Sequence, residues 1–269
     1  MTYFCSVNFF FMKKLDLFIP RSWSDLSDRQ LLFVYRLIAL DVDSATLKMR
    51  CLMKWNGLHF IRSVGNVSRF RASSRRQAAR PRAFLISSLQ LAETIGELGW
   101  MDSIPRRPVR LSHIGKAAAR SADLSEVPFE QFLILENLYQ GYLHTKDKSL
   151  LLQMATVLYP GLSRGRAVTR RPLHRATVEV CVFYWYSALK QYLADAFPHF
   201  FRPLTDSSAL GQAPVGQRLR EAMNAQIRAL TKGDVTKEQQ VLSLDTLRAL
   251  TELDAQAREY EEIKRKASS

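Results

Sequence analysis

The sequence contains few residues that could crosslink the chain or hold a transition metal. Its three cysteines, Cys5, Cys51 and Cys181, are odd in number and far apart, and no CxxC pair occurs. A disulfide framework and a zinc site both require paired or closely spaced cysteines, so the sequence predicts neither. A reducing, cytoplasmic compartment fits this cysteine usage best.

Long apolar runs are also missing. No segment approaches the roughly 20 apolar residues that cross a bilayer, so we expect no membrane partner. The apolar start of the chain lacks the preceding positive charge of a secretory signal, because Lys13 and Lys14 follow it. Met12 opens a more ordinary beginning, and we expect residues 1–11 to be an upstream extension.

The sequence carries no recognisable catalytic motif. Its five histidines are scattered without an HExxH pair. The glycines between Gly161 and Arg166 lie near positive charge but lack the spacing and the Lys-Ser/Thr ending of a phosphate-binding loop. Cys181 lies in the most apolar segment, where a thiol packs rather than reacts. We therefore expect a protein that is not an enzyme and has no cofactor and no metal.

Acidic residues are scarce in two stretches, and these hold the whole excess positive charge. Residues 62–120 contain twelve Lys or Arg against three acids, and residues 164–175 contain five against none. The surpluses of nine and five equal the net charge of +14. Sixteen of these seventeen basic residues are Arg, whose planar guanidinium pairs bidentately with phosphate or carboxylate. The composition indicates an acidic partner.

Two interpretations of the Arg stretches remain open. In one, they bind nucleic-acid phosphates without sequence preference, and Trp100, Phe70 and Phe84 add stacking. In the other, they are solvated loops that keep the protein dispersed or pair with acids of the fold. No helix-turn-helix signature, RNP-like strand or zinc finger surrounds them. The candidate anion or nucleic-acid contacts are Arg69, Arg71, Arg75, Arg76, Arg80, Arg82, Arg164, Arg166, Arg170 and Arg171.

The first part of the chain predicts two helices. Ser27 followed by Gln30 matches a capping box, and apolar residues at helical spacing predict a helix from about 25 to 40. Asp43 or Ser44 can cap a second helix, which an Asn-Gly pair then stops.

Between residues 58 and 126 the helical pattern loosens. Residues 59–62 and 83–86 are short enough to be strands, and an Arg- and Ser-rich connection separates them, which predicts a β-hairpin with a long basic loop. An extended connector with a short strand at 109–111 is expected near the end of the region. A helix from about 88 to 98 lies between, with an apolar face formed by Leu89, Ala92, Ile95 and Leu98.

The second half is strongly helical. Pro128 suits the first position of a helix over 129–142, and Asp147 can cap an antiparallel partner that ends before a Pro-Gly pair. Residues 177–197 are apolar on nearly every side, which is typical of a helix at the centre of a bundle. Trp185 is expected in that core.

The end of the chain predicts a helical hairpin on a linker. Residues 205–214 are small and polar, and two helices over 215–230 and 236–266 follow. A two-helix unit cannot bury its apolar face alone, so it must dock on the body of this chain or on another chain. The candidate partner-binding residues are Leu244, Leu247, Leu250 and Leu253.

Three segments carry a resemblance to a group of known proteins. They are residues 17–26 (LFIPRSWSDL), residues 129–142 (ending LYQGY) and residues 227–260 (containing LTKGDVTK). With these segments the chain resembles uncharacterised helical proteins encoded in phage and prophage structural gene clusters. The resemblance implies an assembly accessory protein such as a tail assembly chaperone, acting in the host cytoplasm on phage structural or assembly proteins. It assigns no functional residue.

Together these features predict a mainly α fold: a helical bundle with a small β-hairpin insertion and a C-terminal helical hairpin. We expect a body over 12–203 with a basic insertion at 58–126, a linker at 204–214 and the hairpin at 215–269. The expected function is protein interaction during assembly of a phage, prophage or mobile-element particle. The alternative is a basic accessory protein that binds nucleic acid through the Arg-rich stretches. The sequence leaves the oligomeric state open.

Overall fold

The computed structural model describes residues 4–9, 12–72, 83–162, 172–201 and 215–267. The fold is mainly α-helical, with small antiparallel sheets, as the sequence predicts. The chain divides into two units, Met1–Pro105 (unit 1) and Arg106–Ser269 (unit 2). The boundary therefore lies within the stretch that the sequence marks as a basic insertion, rather than at residues 204–214.

Unit 1 begins with a hairpin and two helices. Strands β1 (Phe4–Phe9) and β2 (Met12–Phe18) pair antiparallel, and α1 (Asp28–Ala39) and α2 (Ser44–Asn56) follow. Both predicted helix starts are confirmed. The Gln30 side chain accepts a hydrogen bond from the backbone N–H of Ser27, and Asp43 caps α2 by accepting one from the N–H of Thr46.

A three-stranded antiparallel sheet follows α2. Its strands are β3 (Leu58–Val64), β4 (Val67–Ala72) and β5 (Ala83–Ser87), in the order β3-β4-β5. Both predicted strands exist, but they do not pair with each other. The start of the predicted basic loop is itself β4, which lies between them because the Gly65-Asn66 turn reverses the chain, with Gly65 at a φ of +55°.

One side of this sheet is part of the core of unit 1. The rings of Phe60, Phe70 and Phe84 lie side by side across the three strands, with centroids 5.7 Å and 6.0 Å apart. Phe70 and Phe84 are buried. The register shifts between Phe60 and Arg62, so Ile61 is an extra residue on β3. This bulge places the half-exposed Phe60 on the same side of the sheet as Phe70, while Arg62, two positions later, faces the opposite side.

Helix α3 (Ser88–Gly96) starts directly after β5, with Ser87 as its cap. Its predicted apolar face is only partly correct, because Leu98 is buried whereas Leu89 is 70% exposed. Thr94 is the buried residue of the helix itself. Gln90 folds back onto Ser87 in a capping box, which fixes the start of the helix at the end of the sheet.

Unit 2 is a helical bundle. A short hairpin, β6 (His113–Ile114) and β7 (Ala117–Ala118), precedes it, whereas the predicted strand at 109–111 is not formed. The helices are α4 (Phe129–Thr145), α5 (Lys148–Leu158), α6 (Pro172–Ala196), α7 (Val215–Thr231), α8 (Glu238–Leu242) and α9 (Thr246–Ala267).

Helix α6 supplies the centre of this bundle, as its apolar sequence predicts. Trp185 is fully buried, its ring lies 5.6 Å from that of Tyr159, and its indole N–H donates to the Ala122 carbonyl. Tyr159 in turn donates to the Leu111 carbonyl. The two aromatic side chains thus bury large apolar surfaces while satisfying their polar atoms.

The C-terminal helices are built into unit 2. The single helix predicted over 236–266 is interrupted between α8 and α9, because the residues there bond to the segment before α4. The Phe129 N–H donates to the Leu244 carbonyl, and the Thr246 N–H donates to the Val127 carbonyl. Asp245 accepts from the Glu126 N–H. Residues separated by about half the chain are therefore joined by backbone hydrogen bonds.

Candidate nucleic-acid interface

The sheet of unit 1 has a second, outward side, which we call the outer face. Alternate residues of each strand point to it because successive side chains of a strand point to opposite sides. The strand register arranges them in three rows across β3, β4 and β5. The rows are His59, Arg71 and Ala83; Arg62, Arg69 and Leu85; and Val64, Val67 and Ser87.

Three arginines dominate the charge of the outer face. Arg62 and Arg69 lie directly opposite each other, and Arg71 lies two positions further along β4. All three are exposed. The sequence from Leu58 to Ala92 contains no acidic residue, and no carboxylate of the described chain forms an ion pair with any of the three.

The third acid that follows the sheet in the sequence, Asp102 after Glu93 and Glu97, is already engaged. Lys48 forms an ion pair with Asp102, and Ser44 also donates a hydrogen bond to this carboxylate. The hydrogen bonds from Lys48 and Ser44 hold the pKa of Asp102 below its usual value. Its negative charge is therefore matched inside unit 1 and is not free to neutralise the outer face.

The opposed pair Arg62 and Arg69 does not favour the sheet on its own. Like charges directly opposite each other on neighbouring strands destabilise the pairing. Two unit charges about 4 Å apart repel by about 1 kcal/mol even in water. An anion bound between the two guanidinium groups would remove this repulsion and gain two charge-assisted hydrogen bonds.

Only two of the ten candidate arginines lie among the described residues. Arg69 and Arg71 belong to the outer face. The other eight lie outside the described residues. Four belong to the connection from β4 to β5 (Arg75, Arg76, Arg80 and Arg82), and four belong to the connection from α5 to α6 (Arg164, Arg166, Arg170 and Arg171).

Several other basic residues of the two stretches serve the fold of unit 2. The guanidinium carbon of Arg110 lies 5.8 Å from the ring centre of Trp185, and Arg120 donates to the Val157 carbonyl. Arg175 pairs with Glu179 one helical turn away, at 3.0 Å. The basic stretches are therefore not one functional surface, since part of their charge is used in packing.

The four candidate partner-binding leucines do not form an open face. Leu250 is fully buried and Leu253 is 5% exposed, in the same core as Phe129, Phe132 and Trp185. Leu244 and Leu247 are partly buried against that core. The stripe is covered by the rest of unit 2, so the docking partner of the hairpin is the body of this chain.

No metal site is found in the part of the chain that the structure describes. No three His, Cys, Asp or Glu side chains come together there as metal ligands. Cys51 and Cys181 are buried and form no disulfide with each other, and burial raises the pKa of the Cys51 thiol to about 12. Within the same ranges, no helix has both the length and the hydropathy of a membrane span.

Sequence reasoning overlooked part of the outer face. Arg62 was not among the candidate contacts, and Val64, Val67 and Leu85 were not singled out. The alternation of Val67, Arg69 and Arg71 was a readable signal for an outward strand face. The bulge at Ile61 was not readable, because an extra residue in one strand is defined only by its partner strand.

Comparisons of the chain with protein-family models, with curated proteins and with solved structures find no match.

Proposed function

We propose that this protein is an accessory protein that binds nucleic acid through the outer face of its β3-β4-β5 sheet. The observation that carries the proposal is the opposed pair Arg62 and Arg69, with Arg71 beside it, on a face without acids. Guanidinium groups pair with the phosphates of a nucleic-acid backbone, which carry no sequence information. Binding should therefore be independent of sequence.

The alternative reading of these arginines is a solvated surface. A surface that only keeps the protein dispersed gains nothing from placing two arginines directly opposite each other, because the pair weakens the sheet. Dispersed charge would serve solubility equally well. The paired arrangement fits a ligand whose charges lie between the guanidinium groups.

Salt dependence of binding tests the proposal. We expect similar affinity for unrelated DNA and RNA sequences, falling steeply with salt as counterions are released. Replacing Arg62, Arg69 and Arg71 with Gln should flatten the slope of log K against log salt by about 2 to 3. Fluorescence anisotropy with labelled oligonucleotides measures both quantities.

A matched control is available on the helices of the same unit. Arg29, Arg36 and Arg50 are exposed and lie on α1 and α2. Replacing these three with Gln removes the same charge from unit 1 but leaves the outer face unchanged. If both triple variants lose affinity equally, binding follows net charge rather than this face. If the native protein binds nothing at low salt, the proposal is wrong.

The particle-assembly function implied by the phage-protein resemblance stays a prediction, with phage structural or assembly proteins as its partners. The four leucines offered for it do not support it, because unit 2 covers them. A phage or mobile element could equally encode the nucleic-acid-binding protein proposed here. Neighbouring genes for capsid and tail proteins would favour assembly, and integrase, relaxase or replication genes would favour nucleic acid.

A further inference from the structure

The outer face is aliphatic as well as basic. Val64 is 68% exposed, Leu85 is 48% exposed and Val67 is 37% exposed. Val64 pairs with Val67, and Leu85 pairs with Arg69, so the apolar side chains lie directly beside the arginines. A ligand that offers only charge would leave these aliphatic groups in water.

These residues surround an open concavity of about 480 Å³. Its lining includes Arg62 and Arg69 together with Val64, Val67 and Leu85, and the other two lining residues are Ala83 and the buried Phe84. Sites for small molecules and cofactors span about 300 to 1,000 Å³ and combine apolar walls with a few polar groups. The concavity therefore has the size and composition for a ligand unit that is apolar in one part and anionic in another.

A nucleotide of a single strand is such a unit, and a nucleotide in a duplex is not. In a duplex the base faces are stacked against each other, and the outside presents phosphates and sugars. In a single strand the base faces are open and can cover apolar side chains while the phosphate reaches a guanidinium group. Only the single strand can contact both the aliphatic and the basic side chains of the outer face.

The contact would be packing on aliphatic groups rather than aromatic stacking. The phenyl rings of the three strands, Phe60, Phe70 and Phe84, pack against one another on the core side of the sheet. Base faces would therefore rest on valine and leucine methyl groups. Such packing tolerates every base, since each base has an apolar face, and it agrees with binding that is independent of sequence.

We propose that the concavity holds one unpaired nucleotide of a single-stranded nucleic acid. Its base lies against Val64, Val67 and Leu85, and its phosphate lies between Arg62 and Arg69. This inference rests on the proposed function and narrows it from nucleic acid in general to the single-stranded form.

The test compares a single strand with a duplex of the same length on the full chain. Oligo-dT and a mixed-sequence duplex serve as probes, with anisotropy as the readout. The native protein should prefer the single strand. Changing Val64 and Leu85 to Gln should weaken single-strand binding roughly tenfold, leave duplex binding unchanged, and leave the salt slope unchanged because no charge is lost.

Leu40 provides the matched control. It is an aliphatic residue at the end of α1, 53% exposed and outside the sheet. Leu40→Gln should change neither affinity. Circular dichroism establishes whether the Val64→Gln and Leu85→Gln double variant keeps its fold.

A second measurement does not depend on any variant. Methyl NMR signals of Val64, Val67 and Leu85 in the native protein should shift on adding oligo-dT and should not shift on adding the duplex. Equal or tighter duplex binding, or methyl signals unmoved by oligo-dT, would overturn the inference while leaving phosphate binding intact. Competition by polyglutamate as strong as by oligo-dT would also overturn it. Failure to bind either nucleic acid would remove the proposed function as well.

Discussion

At the scale of single residues, Trp185 shows how one side chain can satisfy packing and hydrogen bonding together. Its ring is fully buried against Tyr159, and its N–H is used by the Ala122 carbonyl. Removing it would leave a cavity and would take the donor away from the carbonyl of Ala122, a partly buried residue. Both effects lower the stability of the folded protein, and the cavity is the larger of the two.

We therefore expect Trp185→Ala to lower the free energy of unfolding by about 3 to 5 kcal/mol, the range for a large buried aromatic. Gln191 is exposed on the same helix, and Gln191→Ala should change the free energy of unfolding by less than about 0.5 kcal/mol. Urea unfolding followed by circular dichroism measures both. A loss below about 1 kcal/mol for Trp185→Ala would show that α6 is not central to the bundle.

At the scale of structural elements, the sheet of unit 1 gives up stability at the pair Arg62 and Arg69. This is the kind of trade that proteins make where a surface has a function, because stability and activity compete for the same positions. The bulge at Ile61 belongs to the same arrangement, since it allows one strand to serve the core and the outer face in turn.

Without a ligand, Arg69→Gln should stabilise the protein by about 0.2 to 1 kcal/mol at low salt, because it removes the repulsion from Arg62. Added salt should shrink this gain as the charges are screened. Arg36→Gln on α1 should give no comparable gain. Urea unfolding at two salt concentrations measures the difference, and a destabilised Arg69→Gln variant would contradict the repulsion argument.

Helix α2 depends on the cap that Asp43 provides. The hydrogen bond from the Thr46 N–H holds the pKa of Asp43 below its usual value, so the carboxylate is favoured in the folded state. Its stabilising effect is fully present above the unfolded pKa. The effect is lost as the pH falls through the lower, folded pKa.

Asp43→Ala should therefore lower the free energy of unfolding at neutral pH, whereas Asp43→Asn should retain most of it, because Asn caps helices about as well as Asp. Urea unfolding between neutral pH and about pH 3 should show a smaller acid-induced loss for the Asn variant than for the native protein. An identical acid-induced loss in both would mean that the Asp43 carboxylate does not contribute.

At the scale of the whole molecule, the C-terminal hairpin decides how the chain is organised. Helix α9 contributes Ala249, Leu250 and Leu253 to the core of unit 2, and the residues before it bond to the segment that leads into α4. Hydrogen bonds and buried apolar surface act together here. The hairpin is therefore part of unit 2 and not a separate arm.

A specific protease site placed between residues 204 and 214 tests this. After cleavage the two fragments should stay associated on a sizing column, and Leu250→Ala should lower the free energy of unfolding by about 2 to 5 kcal/mol. Ile263→Ala, at a residue that is 66% exposed on the same helix, is the control and should have little effect. If the fragments separate after cleavage and the rest of the chain stays folded, the C-terminal hairpin is a separate arm and not part of unit 2.

The sequence by itself determined most of the helices and the central core of unit 2. The start of α2 at its Asp43 cap and the burial of α6 follow from local chemistry and periodicity, which act over a few neighbouring residues. The same local information predicted two of the three strands of the β3-β4-β5 sheet, namely β3 and β5. It also placed the excess charge in the two Arg-rich stretches.

Only the tertiary structure decided where those elements meet. Pairing of β4 with both β3 and β5, the bulge that turns Arg62 outward, and the docking of Leu250 in unit 2 all depend on residues distant in the chain. The spacing of leucines along a helix is the same whether the helix packs against another protein or against its own chain. The physical reason is that periodicity specifies which face of an element is buried, while the surface that covers it is selected by packing among all the elements.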